Sequence, residues 1–156
     1  MFTDRGEARQ TAVAYARAEG LLLHAQALST DGVHLAVPPV RALPPGSLDV
    51  DVGVATFAML DAHQLNYPHP RDWKAFSATF LKAAGLKSWR AVQARSRCCT
   101  IERTSSTLRI VPTRNGGATG DDRGFHDLDD LTLELPAAST PAGLGAALLA
   151  AFDRCK

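Results

Sequence analysis

The chain has few cysteines, no long apolar run and no surplus of charge of one sign, and each shortage removes a class of function. Its three cysteines are Cys98, Cys99 and Cys155. An adjacent pair plus one remote thiol suits neither a disulfide framework nor tetrahedral zinc spacing, and the odd count fits a reducing compartment. No stretch approaches the roughly 20 apolar residues that a membrane helix needs. Met1-Phe2-Thr3-Asp4-Arg5-Gly6-Glu7 has neither the basic start nor the apolar run of a signal peptide, so the expected location is the cytoplasm. Lys and Arg total 17 against 16 Asp and Glu, which gives no general pull toward nucleic acid or membrane. Catalytic signatures are also missing: His-Glu-x-x-His, Gly-x-Ser-x-Gly, and a glycine-rich phosphate loop ending in Lys-Ser or Lys-Thr.

What is present is an ordinary globular composition, 46% hydrophobic over 156 residues, enough for a core without staples. One domain spanning residues 1–156 is expected, with residues 1–10 as a flexible tail. The segment from Ala12 to Leu28 is rich in alanine and leucine and would be helix on propensity alone. Alternation of Val13, Tyr15 and Arg17 with Ala12, Ala14 and Ala16, and turn signals at Glu19-Gly20 and Ser29-Thr30-Asp31-Gly32, point instead to a three-stranded meander whose third strand stops at Pro38-Pro39. Helices follow over Leu48 to His63 and Arg71 to Ala84, the second ended by Gly85, and Ser88 to Ala94 adds a short helical turn. Trp73, Phe76, Phe80 and Leu81 share helical spacing in the second helix, which predicts core positions for Trp73 and for the nearby Trp89. Strands over Arg97 to Thr104 and Thr107 to Val111 form a hairpin, a polar glycine-containing loop runs from Thr113 to Asp122, Leu131 to Leu135 alternates as a strand, and Ser139-Thr140-Pro141 opens a closing helix.

An internal echo organises these elements. Leu43-Pro44 stands ten residues before Gly53, counted from the leucine, and Leu135-Pro136 likewise ten residues before Gly145. The chain thus writes strand, Leu-Pro turn and small-faced helix twice, the small face being suited to close approach to a sheet. The expected fold is α+β: a mostly antiparallel sheet with about three helices packed on it.

The chemistry-bearing side chains are sparse. No two of His24, His34, His63, His69 and His126 have the i, i+4 spacing of a helical metal pair, and no metal or cofactor is expected. Asp121, Asp122, Asp127, Asp129, Asp130 and Glu134 crowd one region, offset only by Arg123. Such a run reads as a divalent-cation or acid–base site, as a surface for a basic partner, or as a solvated face. Within Pro112-Thr113-Arg114-Asn115, proline is expected to stop the strand, and Arg114 to pin the loop to a carboxylate or carbonyl.

The order Pro70-x-Asp72-Trp73, Leu81-x-x-Ala84-Gly85-x-x-Ser88-Trp89, Ile110-x-Pro112-Thr113-Arg114-Asn115, Gly124-Phe125-x-x-Leu128 and Gly145-x-Ala147-Leu148 resembles the immunity proteins of bacterial contact-dependent growth inhibition (CDI). The resemblance covers about three quarters of the chain. It departs in the alanine-rich first forty residues and in a longer Gly116-to-Arg123 segment. It implies a cytoplasmic, non-enzymatic protein that binds the C-terminal toxin domain of a cognate CDI effector one to one, as a monomer, without nucleic acid or membrane. Such toxins are often nucleases, and clustered carboxylates can occupy a basic phosphate-gripping cleft. The expected toxin-binding residues are therefore Arg114, Asn115, Asp121, Asp122, His126, Asp127, Asp129 and Asp130. The alternative is a small metal-assisted hydrolase or nuclease using His126, Asp127, Asp129 and Asp130.

Overall fold

The computed structural model describes residues 9–156. Most of the expected 1–10 tail lies outside these residues, and Gln10 already begins the first strand. The meander forms as β1 (Gln10–Arg17), β2 (Gly20–Ser29) and β3 (His34–Leu43). Alternation prevails over helix propensity because both faces of β1 are covered: Ala12 and Ala14 point into one apolar layer, Val13 and Tyr15 into the other. Gly20 is required at the β1–β2 turn, since a Cβ there would stand 2.0 Å from the Leu43 carbonyl oxygen. The prolines do not end β3. Val40 pairs with His24 and Val37 with Ala25, so Pro38 and Pro39 are the extra residues of a bulge, where the ladder asks for no N–H.

Beyond the meander come α1 (Asp49–Asp61), β4 (Gln64–Tyr67), α2 (Trp73–Ala84), α3 (Trp89–Arg95), β5 (Arg97–Arg103), β6 (Thr107–Asn115), β7 (Phe125–Asp127), a 3-10 turn (Asp129–Leu131), β8 (Leu133–Pro136) and α4 (Pro141–Phe152). The short turn foreseen after Ser88 is a fourth helix, capped by the Ser88 hydroxyl accepting from Ala91 N at 3.1 Å. The described residues form one eight-stranded sheet of order β3-β2-β1-β5-β6-β7, in which β8 also pairs with β6 and β4 adds to β2 as the one parallel pairing. Pro112 does not stop its strand either. It lies within β6 opposite Cys99, and its carbonyl accepts from Leu128 N at 2.9 Å. β6 is thereby long enough to carry Thr113, Arg114 and Asn115 into a second pairing with β7.

Helices cover both faces. On one, α1 and α4 close over Leu23, Ile101, Leu108 and Ile110, with Leu60, Leu144 and Leu148 fully buried. Each such aliphatic side chain contributes about 1.5–3 kcal/mol on leaving water. The two strand–Leu-Pro–helix units lie here together, and their glycines serve the helix–helix crossing rather than an approach to the sheet: a Cβ on Gly53 would fall 1.7 Å from the Pro141 carbonyl oxygen of α4. On the other face Val92 of α3 is buried against Val13, Tyr15, Leu22 and Cys98. There Phe80 of α2 stacks on Trp89 at 5.2 Å. The core assignment of Trp73 is overturned, because Trp73 is 47% exposed. Helical spacing identified the face of α2 correctly, but Trp73 stands at the helix's first turn, before Phe76, where α2 begins to pack against the buried strand residues Ala25, Ala27, Leu35 and Val37.

Candidate functional site

The far end of β6 holds most of the residues that sequence reasoning singled out. Thr113 is buried and donates its hydroxyl hydrogen to the Cys98 carbonyl at 2.6 Å, tying β6 to β5. Beyond it, Arg114 pairs with His126 and Asn115 with Phe125 across the β6–β7 ladder. Residues 116–124 link these strands as a loop that is closed by its own hydrogen bonds: Gly116 N donates to Gly124 O at 2.8 Å, and Gly124 N to Gly117 O at 3.0 Å.

Three side chains fasten this loop. Arg114 forms a two-pronged ion pair with Asp122, at 2.5 and 3.0 Å, as the pinning role anticipated. The hydrogen bond from Arg114 is the main reason the Asp122 carboxyl is held below its ordinary range. His126 Nε2 donates to the Asp122 carbonyl at 2.8 Å, since a carbonyl can only accept, which places the proton on Nε2. Asn115 has its whole amide engaged. Its Nδ2 donates to Gln93 O at 2.7 Å and Ser96 O at 3.0 Å, while its Oδ1 accepts from Gln93 Nε2 at 2.9 Å and Gly117 N at 2.8 Å. Asn115 therefore joins α3, the start of β5 and the loop, and acts by positioning them.

The aspartates divide into two kinds. Asp122 is committed to Arg114, whereas Asp121, Asp127, Asp129 and Asp130 are exposed on the loop, on β7 and on the 3-10 turn. The Asp127 carboxyl is pushed up, first by partial burial and then by the nearby Asp129. Among the described residues no three His, Cys, Asp or Glu side chains gather where they could hold a metal ion. The set His126, Asp127, Asp129 and Asp130 of the hydrolase reading is thus not assembled. The structure brings Arg114, Asp122 and His126 into one contact group and leaves four carboxylates facing solvent beside it.

A second surface feature escaped the sequence reading. Trp73, the first residue of α2, lies with His69 of the preceding segment (5.2 Å between rings) and with Phe76 one turn along the helix (6.1 Å), beside a groove of about 190 Å³ that also involves His34, Phe80 and Trp89. Arg71, Lys74, Lys82, Lys87, Arg90 and Arg95 lie in the same stretch, opposed only by Asp72. This basic run was legible in the sequence as a local excess hidden by the near-neutral total.

The family described as "CdiI: CDI immunity protein" matches residues 56–155, from within α1 to the C-terminal side of α4. The chain belongs to the CDI immunity protein family. The matched stretch includes the whole β6–β7 region and omits the alanine-rich meander. Two solved structures are similar over nearly the entire fold, meander included. One is a protein of unknown function from Neisseria meningitidis (TM-score 0.75, 19% identity, 96% of this chain and 97% of that one). The other is a CdiA-CT/CdiI toxin and immunity complex from Yersinia pseudotuberculosis (TM-score 0.75, 15% identity, 96% of this chain and 98% of that one). At these identities the likeness is one of fold. No curated protein matches the sequence. Among the described residues, no helix is long and apolar enough to cross a membrane.

Proposed function

We propose that this protein neutralises the toxin domain of a cognate CDI effector by binding it stoichiometrically in the cytoplasm, as a single-domain monomer in a 1:1 complex. The observation that carries the reading is the family match over residues 56–155. The solved Yersinia neighbour, a toxin and immunity complex, supports a toxin domain as the partner. No catalytic step, nucleic acid or membrane enters the proposal.

The face assigned to the toxin is the 113–130 region, and the toxin is proposed to be a nuclease. Asp121, Asp127, Asp129 and Asp130 are exposed and supply negative charge for a basic, phosphate-gripping cleft. Asp122, Arg114, His126 and Asn115 hold the loop in shape, which lowers the ordering entropy that a free loop would lose on binding. Clustered rim charges act chiefly on association rate and its salt dependence.

The test pairs this protein with the C-terminal toxin domain of its cognate CDI effector. A 1:1 complex by light scattering and stoichiometric loss of toxin activity are expected. Stopped-flow association should slow as salt rises, and joint neutralisation of the four solvent-facing carboxylates Asp121, Asp127, Asp129 and Asp130 to asparagine should flatten that slope. An unchanged rate and slope in the quadruple variant would move the interface elsewhere, and failure of the wild-type proteins to associate would remove the function itself.

A further inference from the structure

All three cysteines are free thiols, and two of them meet. β5 turns its adjacent cysteines to opposite faces: Cys98 packs with Tyr15 and Val92 below α3, and Cys99 lies fully buried in the layer under α1 and α4. The chain beyond α4 brings Cys155 back onto this strand, with Cys155 Sγ 3.7 Å from Cys99 Sγ and 3.4 Å from the Cys98 carbonyl oxygen. The approach does not depend on a loose terminus. Lys156 N donates to Thr113 O at 3.1 Å and Lys156 O accepts from Asn115 N at 2.8 Å, so the last residue brackets the end of β6.

The two thiols differ in the way an oxidation couple requires. Cys155 is partly exposed, whereas Cys99 has no exposed surface. The hydrogen bond between the sulfurs favours the thiolate at Cys155, and the Thr113 and Cys98 backbone and the Arg97 guanidinium add to this against partial burial, bringing Cys155 down to about 6. The same hydrogen bond, then burial, pushes the Cys99 thiol up, so it remains the protonated partner. A low, accessible thiol beside a protected one is the arrangement of an attacking and a resolving cysteine.

We propose that Cys155 and Cys99 are a peroxide-oxidisable pair that closes to a reversible disulfide between the C-terminal tail and β5. The Cys155 thiolate attacks one oxygen of a hydroperoxide and the O–O bond breaks. With one proton taken up, this gives Cys155 sulfenic acid and water or an alcohol. The Cys99 sulfur then attacks the sulfenic sulfur. The S–O bond breaks, the hydroxide takes the Cys99 proton and leaves as water, and the S–S bond forms. Cysteine is oxidised by two electrons per bridge and the peroxide is reduced. An external thiol reverses the reaction by exchange. Cys98 is excluded by its orientation to the other face of β5.

The test uses fully reduced protein treated with a small molar excess of hydrogen peroxide, quenched, denatured and alkylated with N-ethylmaleimide. Intact mass should show one alkylated thiol in place of three and the loss of two hydrogens, both reversed by dithiothreitol before alkylation. Trypsin should release residues 98–103 joined to residues 155–156, and fragmentation should place the bridge on Cys99. Cys155→Ser, checked for folding by circular dichroism, should abolish the linked species, and Cys98→Ser should retain it. Three alkylated thiols, a bridge on Cys98, or Cys155 ending as sulfinic acid with Cys99 still alkylatable would each overturn the proposal.

Discussion

Gly145 of α4 lies against Gly53 of α1 so closely that a Cβ on Gly145 would stand 3.0 Å from the Gly53 nitrogen and 1.8 Å from the Asp49 carbonyl oxygen. The obstructing atoms are backbone, so no rotamer change relieves the overlap. The helices meet through equivalent glycines of the two strand–Leu-Pro–helix units.

Adding one methyl group here should force the crossing open. Gly145→Ala and Gly53→Ala are each expected to cost about 1–3 kcal/mol, the range for overpacking a tight core. For a chain of this size that is a fall in Tm of roughly 2–4 °C per kcal/mol. The double variant should cost less than the sum, because the first methyl already separates the helices. Ala146→Ser, one residue along on the exposed side, should stay within about 0.5 kcal/mol. Urea denaturation of the four proteins distinguishes these outcomes, and full additivity would count against a shared crossing.

Asn115 should matter more to the loop than its exposed neighbours. Asn115→Asp replaces two donors with a carboxylate facing the Gln93 and Ser96 carbonyls, and an unsatisfied buried polar group costs about 1–3 kcal/mol. Amide exchange over residues 116–124 and the global melt should both deteriorate in this variant.

Arg114→Ala should loosen the loop without moving the global melt. Asp122 has a depressed folded pKa, so its contribution is complete above the ordinary carboxylate range and is lost as pH falls through the lowered value. Loop amide protection in the wild type should therefore weaken on acidification, while Asp122→Asn should lack this pH dependence. Equal pH profiles in both proteins would show that the ion pair does not hold the loop.

His24 should make stability depend on mildly acidic pH. It is buried between Tyr15 and Phe80, its Nδ1 donates to the Ala25 carbonyl at 2.8 Å, and its Nε2 has no hydrogen-bond partner among the described residues. Burial brings its pKa from 6.5 down to about 4. Below pH 6.5 the unfolded chain takes up a proton that the folded one refuses. Stability from this site is thus complete above pH 6.5, declines as pH falls, and levels off near pH 4 after a loss of about 3 kcal/mol. The difference in urea midpoint between pH 7.5 and pH 5 should shrink in His24→Leu; an unchanged difference would assign the pH dependence to other groups.

Trp73 should behave as a surface residue. In a Trp89→Phe background its emission should be red-shifted and readily quenched by acrylamide, and Trp73→Ala should cost far less than the roughly 3–5 kcal/mol of a core aromatic. A blue-shifted, protected Trp73 would contradict the placement of the first turn of α2.

By itself the sequence determined the local grammar of this protein. Alternation in Val13 and Tyr15, the Asp72 and Thr140 caps, Gly85 after α2 and the two Leu-Pro units each act within a few residues, so each is readable where it stands. The motif order from Pro70 to Leu148 likewise carried the family. The tertiary structure alone decided whatever depends on a remote neighbour. Pro38, Pro39 and Pro112 remain in strands because no partner requires their missing N–H groups. The short β4 and β7 exist because β2 and β6 offer them edges, and neither segment has enough residues to declare itself. Trp73 is exposed because spacing sets the face of a helix but not where its packing begins. Gly53 meets Gly145, and Cys99 meets Cys155, only because α4 returns across the sheet, and no local pattern encodes a contact between residues that far apart.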